Sequence, residues 1–150
     1  DKCFFFVSSG SGLDAVPSIF RKPVLYVNSI PLEYMHAESD KNLIILKKLW
    51  MKRGKRFMTF QEILDSGVGR YLRTEQYKKA NLEIVHNTSE EIDDAMQEML
   101  KRLQGTWKIT AEDEDFQQRF WAIFKPNDIH RLFLARIGSG FLKQNMGLLE

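Results

Sequence analysis

The sequence predicts an α/β fold, with a Rossmann-like parallel sheet, flanking helices and a helical C-terminal tail. Two short runs, Cys3–Val7 and Val24–Val27, are apolar at every position, which is typical of strands covered on both faces in a parallel sheet. Between them lie a glycine-serine turn, Ser8–Gly12, and a short amphipathic piece, Leu13–Phe20. This order predicts a βαβ unit, in which ligands sit beyond the carboxyl ends of the strands.

The remaining elements follow in order along the chain. Two more apolar runs, Leu43–Leu46 and Leu82–Val85, are strand candidates. Three helices are predicted where a threonine precedes an acid by three residues, the spacing of an N-terminal cap, at Thr59, Thr88 and Thr110. We expect these helices to end near Gly67, Gly105 and Pro126. The tail from Ile129 to Leu149 is predicted to be helical, with a kink at Gly138 and Gly140.

We expect residues 1–150 to form one domain, with an α/β portion at 1–105 and a helical tail at 106–150. The chain begins with Asp1 and enters a hydrophobic strand almost at once, so we expect it to be the C-terminal piece of a longer protein. Cys3–Val7 would then be an interior strand of a larger sheet, and its exposed edge would belong to the missing half.

Charge and composition narrow the function classes. A net charge of +2, from 22 basic and 20 acidic residues, is too balanced for a dedicated nucleic-acid binder. Six of the basic residues lie in Lys47–Arg56, around Leu49, Trp50 and Met51. We interpret this cluster as a solvated loop, except for Lys47, which follows a strand end. Binding of nucleotide phosphates or of an anionic membrane surface is the alternative.

The cysteine and histidine content argues against a disulfide-stabilised protein and against a metal-binding protein. Cys3 is the only cysteine, so there is no disulfide framework, and a reducing cytoplasm is the expected location. Cys3 and the three histidines, His36, His86 and His130, have no spacing that resembles a metal site. No apolar run approaches the length of a membrane span, and no signal peptide is evident.

The turn Ser8–Gly12 is the first candidate site. Glycines between a buried strand and a helix let backbone amides and the helix dipole approach a phosphate, and serine hydroxyls add donors. The alternative is that these residues only form the turn and cap the helix. The turn lacks the dinucleotide fingerprint, the Gly-Lys-Ser/Thr of a P-loop and the context of a hydrolase nucleophile. In the following polar loop, Glu33 and His36 could contact ligand hydroxyls, although a polar loop explains them equally well.

Five segments, spread along most of the chain, also carry a resemblance to a known family: FFFVSSGSGLDAVPSIFRKPVLYVN, NLIILKK, TFQEIL, NTSEEIDDAMQEML and HRLFLARIGSGFLKQN. They are similar to the C-terminal part of a family of surface-polysaccharide glycosyltransferases. More broadly, the first segment resembles the nucleotide-sugar-binding domain of GT-B transferases and of the related UDP-sugar 2-epimerases. The resemblance implies that Ser9, Gly10, Ser11 and Gly12 bind the donor diphosphate. It places the following residues near the donor's sugar or nucleotide: Asn28, Glu33, His36 and Lys47.

The implied activity is sugar transfer from a nucleotide sugar in surface polysaccharide assembly. The leaving diphosphate would be stabilised by amides and the helix dipole instead of a metal, with no cofactor besides the donor. The partners would be a saccharide or lipid-linked acceptor and an N-terminal domain. Peripheral contact with the inner face of the membrane is also compatible with the resemblance. The catalytic base is not identified and would come from the N-terminal half, so we expect the chain alone to be inactive. An epimerase-like enzyme and a non-catalytic binding module are the rival hypotheses.

Overall fold

The structure, a computed structural model, describes residues 3–124 and 133–150. In this part of the chain the strands β1 to β7 are, in order, Phe6–Ser8, Val24–Ser29, Leu43–Leu46, Lys48–Met51, Arg56–Phe57, Leu82–Val85 and Arg136–Ile137. The helices α1 to α6 are Ala15–Ile19, Phe60–Asp65, Thr74–Lys79, Ser89–Leu103, Ala111–Ile123 and Ser139–Gln144. Short 3-10 turns lie at Gly12–Asp14, Leu32–Tyr34, Val68–Arg70 and Met146–Leu149.

A four-stranded parallel sheet in the order β1-β2-β3-β7 forms the centre of the fold. Its middle strands are apolar throughout their buried length, with Leu25, Ile44 and Ile45 fully inaccessible. Helix α4 covers this sheet with Ala95 and Met99, both buried, because its apolar residues recur at helical spacing. The predicted α/β fold with a Rossmann-like parallel sheet and flanking helices is confirmed.

Strand β1 is shorter and more exposed than predicted. It covers Phe6–Ser8 only, and it lies at the edge of the sheet, paired with β2 on one side. Cys3 is exposed, and the side chain of Phe4 is 73% exposed. The prediction that Cys3–Val7 is a strand buried on both faces, with Cys3 inside it, is therefore wrong for the described residues.

The basic cluster at residues 47–56 is not a loop, and this prediction is corrected. Strands β4 and β5 form a hairpin, and β4 also pairs with β6 to make an antiparallel sheet in the order β5-β4-β6. Leu49 is buried, and the Trp50 ring packs edge-on against Phe57 with 5.0 Å between centroids. These apolar contacts hold the hairpin, while its cations remain at the surface or form ion pairs. The predicted strand Leu82–Val85 is confirmed, as β6 of this second sheet.

All three predicted helix starts are confirmed by reciprocal hydrogen bonds. The side chains of Thr59, Thr88 and Thr110 each accept from a backbone amide three residues later, at 3.1 to 3.2 Å. The acid at that later position accepts in turn from the threonine amide, at 2.9 to 3.0 Å. Each box satisfies two amides that the helix itself leaves unbonded, which fixes where α2, α4 and α5 begin.

The predicted helical tail is confirmed in α5 and α6, but the tail also contributes a strand. In β7, Arg136 and Ile137 pair with Leu43 and Ile44 of β3. Gly138 then marks the turn into α6, where an added Cβ would lie 2.8 Å from Ile45 Cγ2. An entirely helical tail is thus excluded for residues 133–149. The predicted helix end at Pro126, residue His130 and the start of the tail lie outside the described residues.

No helix among the described residues is long and apolar enough to cross a membrane.

Candidate ligand site at the carboxyl edge of the parallel sheet

The predicted site residues all lie near the carboxyl ends of the parallel strands, but they do not form one site. Ser9–Gly12 follow β1, Glu33 and His36 follow β2, Lys47 follows β3, and Asn28 lies near the end of β2. The structure divides this edge into two parts. We call Asn28, Lys48, Asn87, Glu91 and Asn145 the closed end, and Ser9–Gly12, Asp14 and His36 the open end.

Two asparagines lock the closed end across 59 residues of sequence. The Asn28 amide donates to Asn87 Oδ1 at 2.6 Å, and the Asn87 amide donates to Asn28 Oδ1 at 2.7 Å. Asn28 has a φ of 52°, a left-handed conformation that asparagine tolerates better than most residues, and the β2–β3 register shifts here. The Asn87 side chain also donates to the Leu46 carbonyl at 2.8 Å. These bonds connect β2 and β3 to the start of α4. Asn28 therefore has a structural role.

A buried ion pair extends the closed end. Lys48 Nζ lies 2.6 Å from Glu91 Oε1, with only 10% and 4% of the two side chains exposed. Asn145 donates to the same carboxylate at 3.0 Å. Burial would raise the pKa of Glu91, but the hydrogen bonds from Lys48, the Thr88 amide and Asn145 outweigh it and hold this pKa below its usual range. The polar groups of the closed end therefore form hydrogen bonds and an ion pair with one another.

Glu33 and Lys47 also lie apart from the open end. Glu33 is 6% exposed, its Oε2 lies 2.8 Å from Arg70 Nε, and a Cβ at Gly69 would meet its Oε1 at 3.1 Å. Lys47 lines an internal cavity of about 10 Å³ together with apolar side chains such as Phe60, and burial lowers the pKa of its amine. A cavity of this size holds no nucleotide, and the Glu33 carboxylate is bonded to Arg70, so neither residue joins the open end in this structure.

The open end is a cleft of about 280 Å³. Its walls are Gly10, Ser11 and Gly12 from the loop after β1, Ser18 from α1, and His36 from the loop after β2. Gly10 has a φ of 82°, which glycine adopts without strain, and its amide donates to Ser8 Oγ at 3.1 Å. The four loop residues 9–12 are exposed. The structure thus brings the predicted turn and His36 together.

Helix α1 contributes less to this cleft than the sequence suggests. It contains five residues, Ala15–Ile19, and is preceded by the 3-10 turn Gly12–Asp14. A macrodipole grows with the number of aligned peptide units, so a helix of little more than one turn adds a small field. Any anion here would depend on the loop amides and on serine hydroxyls.

Asp14 is the site residue that sequence reasoning missed. It is 5% exposed, lies on the wall of the cleft, and accepts a hydrogen bond from Ser8 Oγ through its Oδ1. Its Oδ2 lies 3.9 Å from His36 Nε2, longer than a hydrogen bond. One signal could have identified it, because Asp14 is the only acid between Cys3 and Asn28.

His36 is held from both sides. Its ring stacks on Tyr26 with 4.7 Å between centroids and 12° between planes, and its Nδ1 lies 3.9 Å from Glu38 Oε1. Burial, followed by the charges of Asp14 and Glu38, raises the pKa of Tyr26 to about 12. The carboxylates of Asp14 and Glu38 both lie beside the imidazole, so a phosphate would be repelled from the Asp14 side of the cleft.

The described residues contain no group of three or more His, Cys, Asp or Glu side chains placed to hold a metal ion. Scanned against protein-family models, curated proteins and solved structures, the chain has no significant match in any of the three.

Proposed function

We propose that this chain is the donor-binding half of a nucleotide-sugar-dependent glycosyltransferase, and that the open end receives the donor diphosphate. The observation that carries this proposal is the cleft itself, in which an exposed glycine-serine loop and a histidine meet at the carboxyl ends of β1 and β2. This is where open parallel sheets bind their ligands. The resemblance of the flanking segments to surface-polysaccharide glycosyltransferases gives the cleft a specific donor class.

The loop is suited to a diphosphate because its backbone is accessible. Apart from the adjacent residues of the chain, no heavy atom lies within 4 Å of an added Cβ at Gly10 or Gly12, so a ligand oxygen could approach the main chain there. Ser9 and Ser11 are exposed and supply hydroxyl donors. Preorganised donors of this kind stabilise the negative charge that develops on a leaving diphosphate.

In this proposal the described residues bind the donor but do not complete the transfer reaction. The catalytic base and the acceptor site would come from an N-terminal domain, so the chain alone should bind a donor without transferring its sugar. The acceptor would be a saccharide or a lipid-linked saccharide, with peripheral membrane contact where that lipid lies.

A donor screen tests the proposal. Calorimetry would be run with UDP-, GDP- and CMP-sugars on the wild-type chain and on Gly12→Val, a branched side chain placed in the cleft. The proposal expects one donor class to bind the wild type and to bind the variant at least tenfold more weakly. Lack of binding by every donor, in a chain shown to be folded, would refute it.

An epimerase-like enzyme is a second candidate, favoured by one observation. Such an enzyme needs acid-base groups at the turn, and the structure brings Asp14 and His36 to that place. Incubating the chain with a UDP-sugar and no acceptor separates the two functions. Conversion of the free UDP-sugar, lost in His36→Phe, would favour the epimerase, whereas binding without conversion favours the transferase.

A further inference from the structure

We propose that Asp14 and His36 together bind one hydroxyl group of the donor, with Asp14 Oδ2 accepting from the hydroxyl and His36 Nε2 donating to it. This inference rests on the proposed function, because it assigns the second half of the same ligand. It adds a residue, Asp14, that neither the sequence pattern nor the resemblance singles out.

The distance between the two groups carries the inference. Asp14 Oδ2 and His36 Nε2 are 3.9 Å apart, which is too far for a direct hydrogen bond. An oxygen placed between them could lie about 2.8 Å from each, within the usual range for both bonds. A hydroxyl fits this gap because it both donates and accepts, whereas an ionised phosphate oxygen can only accept and an ammonium group can only donate.

The position of Asp14 is held from the opposite side. Ser8 donates through its Oγ to Asp14 Oδ1, and Ser8 Oγ in turn accepts from the Gly10 amide at 3.1 Å. One carboxylate oxygen is thus fixed to the loop, and the other lies near His36. The same chain of bonds couples the carboxylate to the loop proposed to bind the diphosphate.

The charge of Asp14 determines which end of the ligand can lie beside it. The Asp14 carboxylate repels phosphate, so the diphosphate belongs on the exposed loop, away from Asp14. A carboxylate that is 5% exposed is a strong acceptor for a sugar hydroxyl, because few water molecules compete with the ligand. The cleft therefore fits a ligand with an anionic end and a hydroxyl-bearing end, which a nucleotide sugar provides through its ribose or its transferred sugar.

The test compares three classes of probe on the folded chain. Amide NMR titrations would use UDP-glucose and GDP-mannose, then UDP and GDP, then inorganic pyrophosphate. The variants are Asp14→Asn, which keeps an acceptor for Ser8, and His36→Phe, which keeps the stacking on Tyr26 but removes the donor. Glu38→Gln is the matched control, since Glu38 is also 3.9 Å from the His36 ring but is largely exposed.

We expect Asp14→Asn and His36→Phe each to weaken nucleotide-sugar binding about tenfold, with pyrophosphate unaffected and Glu38→Gln like the wild type. If the free nucleotides are also weakened, the bound hydroxyl belongs to the ribose, and if they are not, it belongs to the transferred sugar. Either pattern supports the inference. Because His36 is about half exposed, its variant should fold even if the Asp14 variant does not.

Two results would overturn the inference. Equal affinities of wild type and both variants for nucleotide sugars would show that no hydroxyl is bound by the pair, while the proposed function would survive. An equal loss for all three probe classes would show that Asp14 and His36 only shape the loop. If no probe binds the wild type, the proposed function fails, and the inference fails with it.

Discussion

The closed end and the open end lie at the same edge of one sheet but use their polar groups in opposite ways. At the closed end, Asn28 and Asn87 exchange hydrogen bonds and Glu91 has three kinds of donor. At the open end, the loop residues Ser9–Gly12 are exposed, and Asp14 Oδ2 lies 3.9 Å from His36 Nε2. A polar residue at the end of a parallel strand is thus not by itself a sign of a ligand site.

This difference predicts that substitutions at the closed end will show their effect in stability measurements, and substitutions at the open end in binding measurements. Substitutions at the closed end should lower the free energy of unfolding and leave any ligand contact unaltered in the folded fraction. Substitutions of the exposed or half-exposed residues Ser9, Gly12 and His36 at the open end should leave stability nearly unchanged and alter binding.

The largest loss of stability is expected for Lys48→Met. This change removes the charge that compensates buried Glu91, and breaking one partner of a buried ion pair costs about 3–5 kcal/mol. Urea denaturation would measure the loss. The double variant Lys48→Met with Glu91→Gln is the control, and it should recover part of the stability because no unpaired charge remains. A loss below about 1 kcal/mol in the single variant would contradict the importance given to this pair.

A smaller loss is expected for Asn87→Ala, which deprives the Asn28 amide and the Leu46 carbonyl of a partner. Leaving buried backbone groups unsatisfied should cost about 2–3 kcal/mol, seen as a lower midpoint in thermal or urea unfolding. Ser9→Ala at the open end is the matched control and should change stability by less than about 0.5 kcal/mol. Equal effects of the two changes would remove the distinction between the ends.

The pH dependence of stability should also depend on the closed end. The pKa of Glu91 in the folded chain lies below its ordinary value of 4.5. The ionised Glu91 therefore stabilises the fold above that value, and this stabilisation is lost as the pH falls through the lower, folded pKa. Glu91→Gln should make the fall of unfolding free energy as the pH drops below 4.5 shallower than in the wild type. An identical slope in both proteins would show that Glu91 does not titrate as described.

The smallest effect on stability is expected for Gly12→Ala. Gly12 does not have a positive φ, and no atom lies within 4 Å of its added methyl group, so stability should stay within about 0.5 kcal/mol of the wild type. The methyl group would nevertheless lie in the cleft, where it should weaken donor binding measured by calorimetry. A clear loss of stability would mean that the loop is packed more tightly than the structure shows.

Features set by neighbouring residues were predictable from the sequence. The boxes at Thr59, Thr88 and Thr110 need only residues three positions apart, so their pattern is visible in the chain. The buried run Val24–Val27 of β2 and strand β3 were equally clear, because each is an unbroken run of apolar or aromatic residues, typical of strands covered on both faces.

Features set by distant pairing were not predictable. The hairpin β4–β5 is dominated by charges in sequence, and its pairing with β6 joins residues more than 30 positions apart, such as Met51 with Leu82. Strand β7 has two residues, too few for a pattern, and exists because it adds to β3. The contact between Asp14 and His36 joins two different loops, so the prediction found His36 but not its neighbour.

The measurement that tests the account most directly is an amide NMR titration of the folded wild-type chain with nucleotide sugars. At 17.6 kDa the chain suits this method, and glycine amides such as those of Gly10 and Gly12 fall in a sparse part of the spectrum. We predict that one donor class shifts the resonances of residues 9–12, Asp14 and His36, while those of Asn28 and Asn87 stay in place. Absence of shifts at the open end up to millimolar donor, or shifts centred on the closed end, would contradict it.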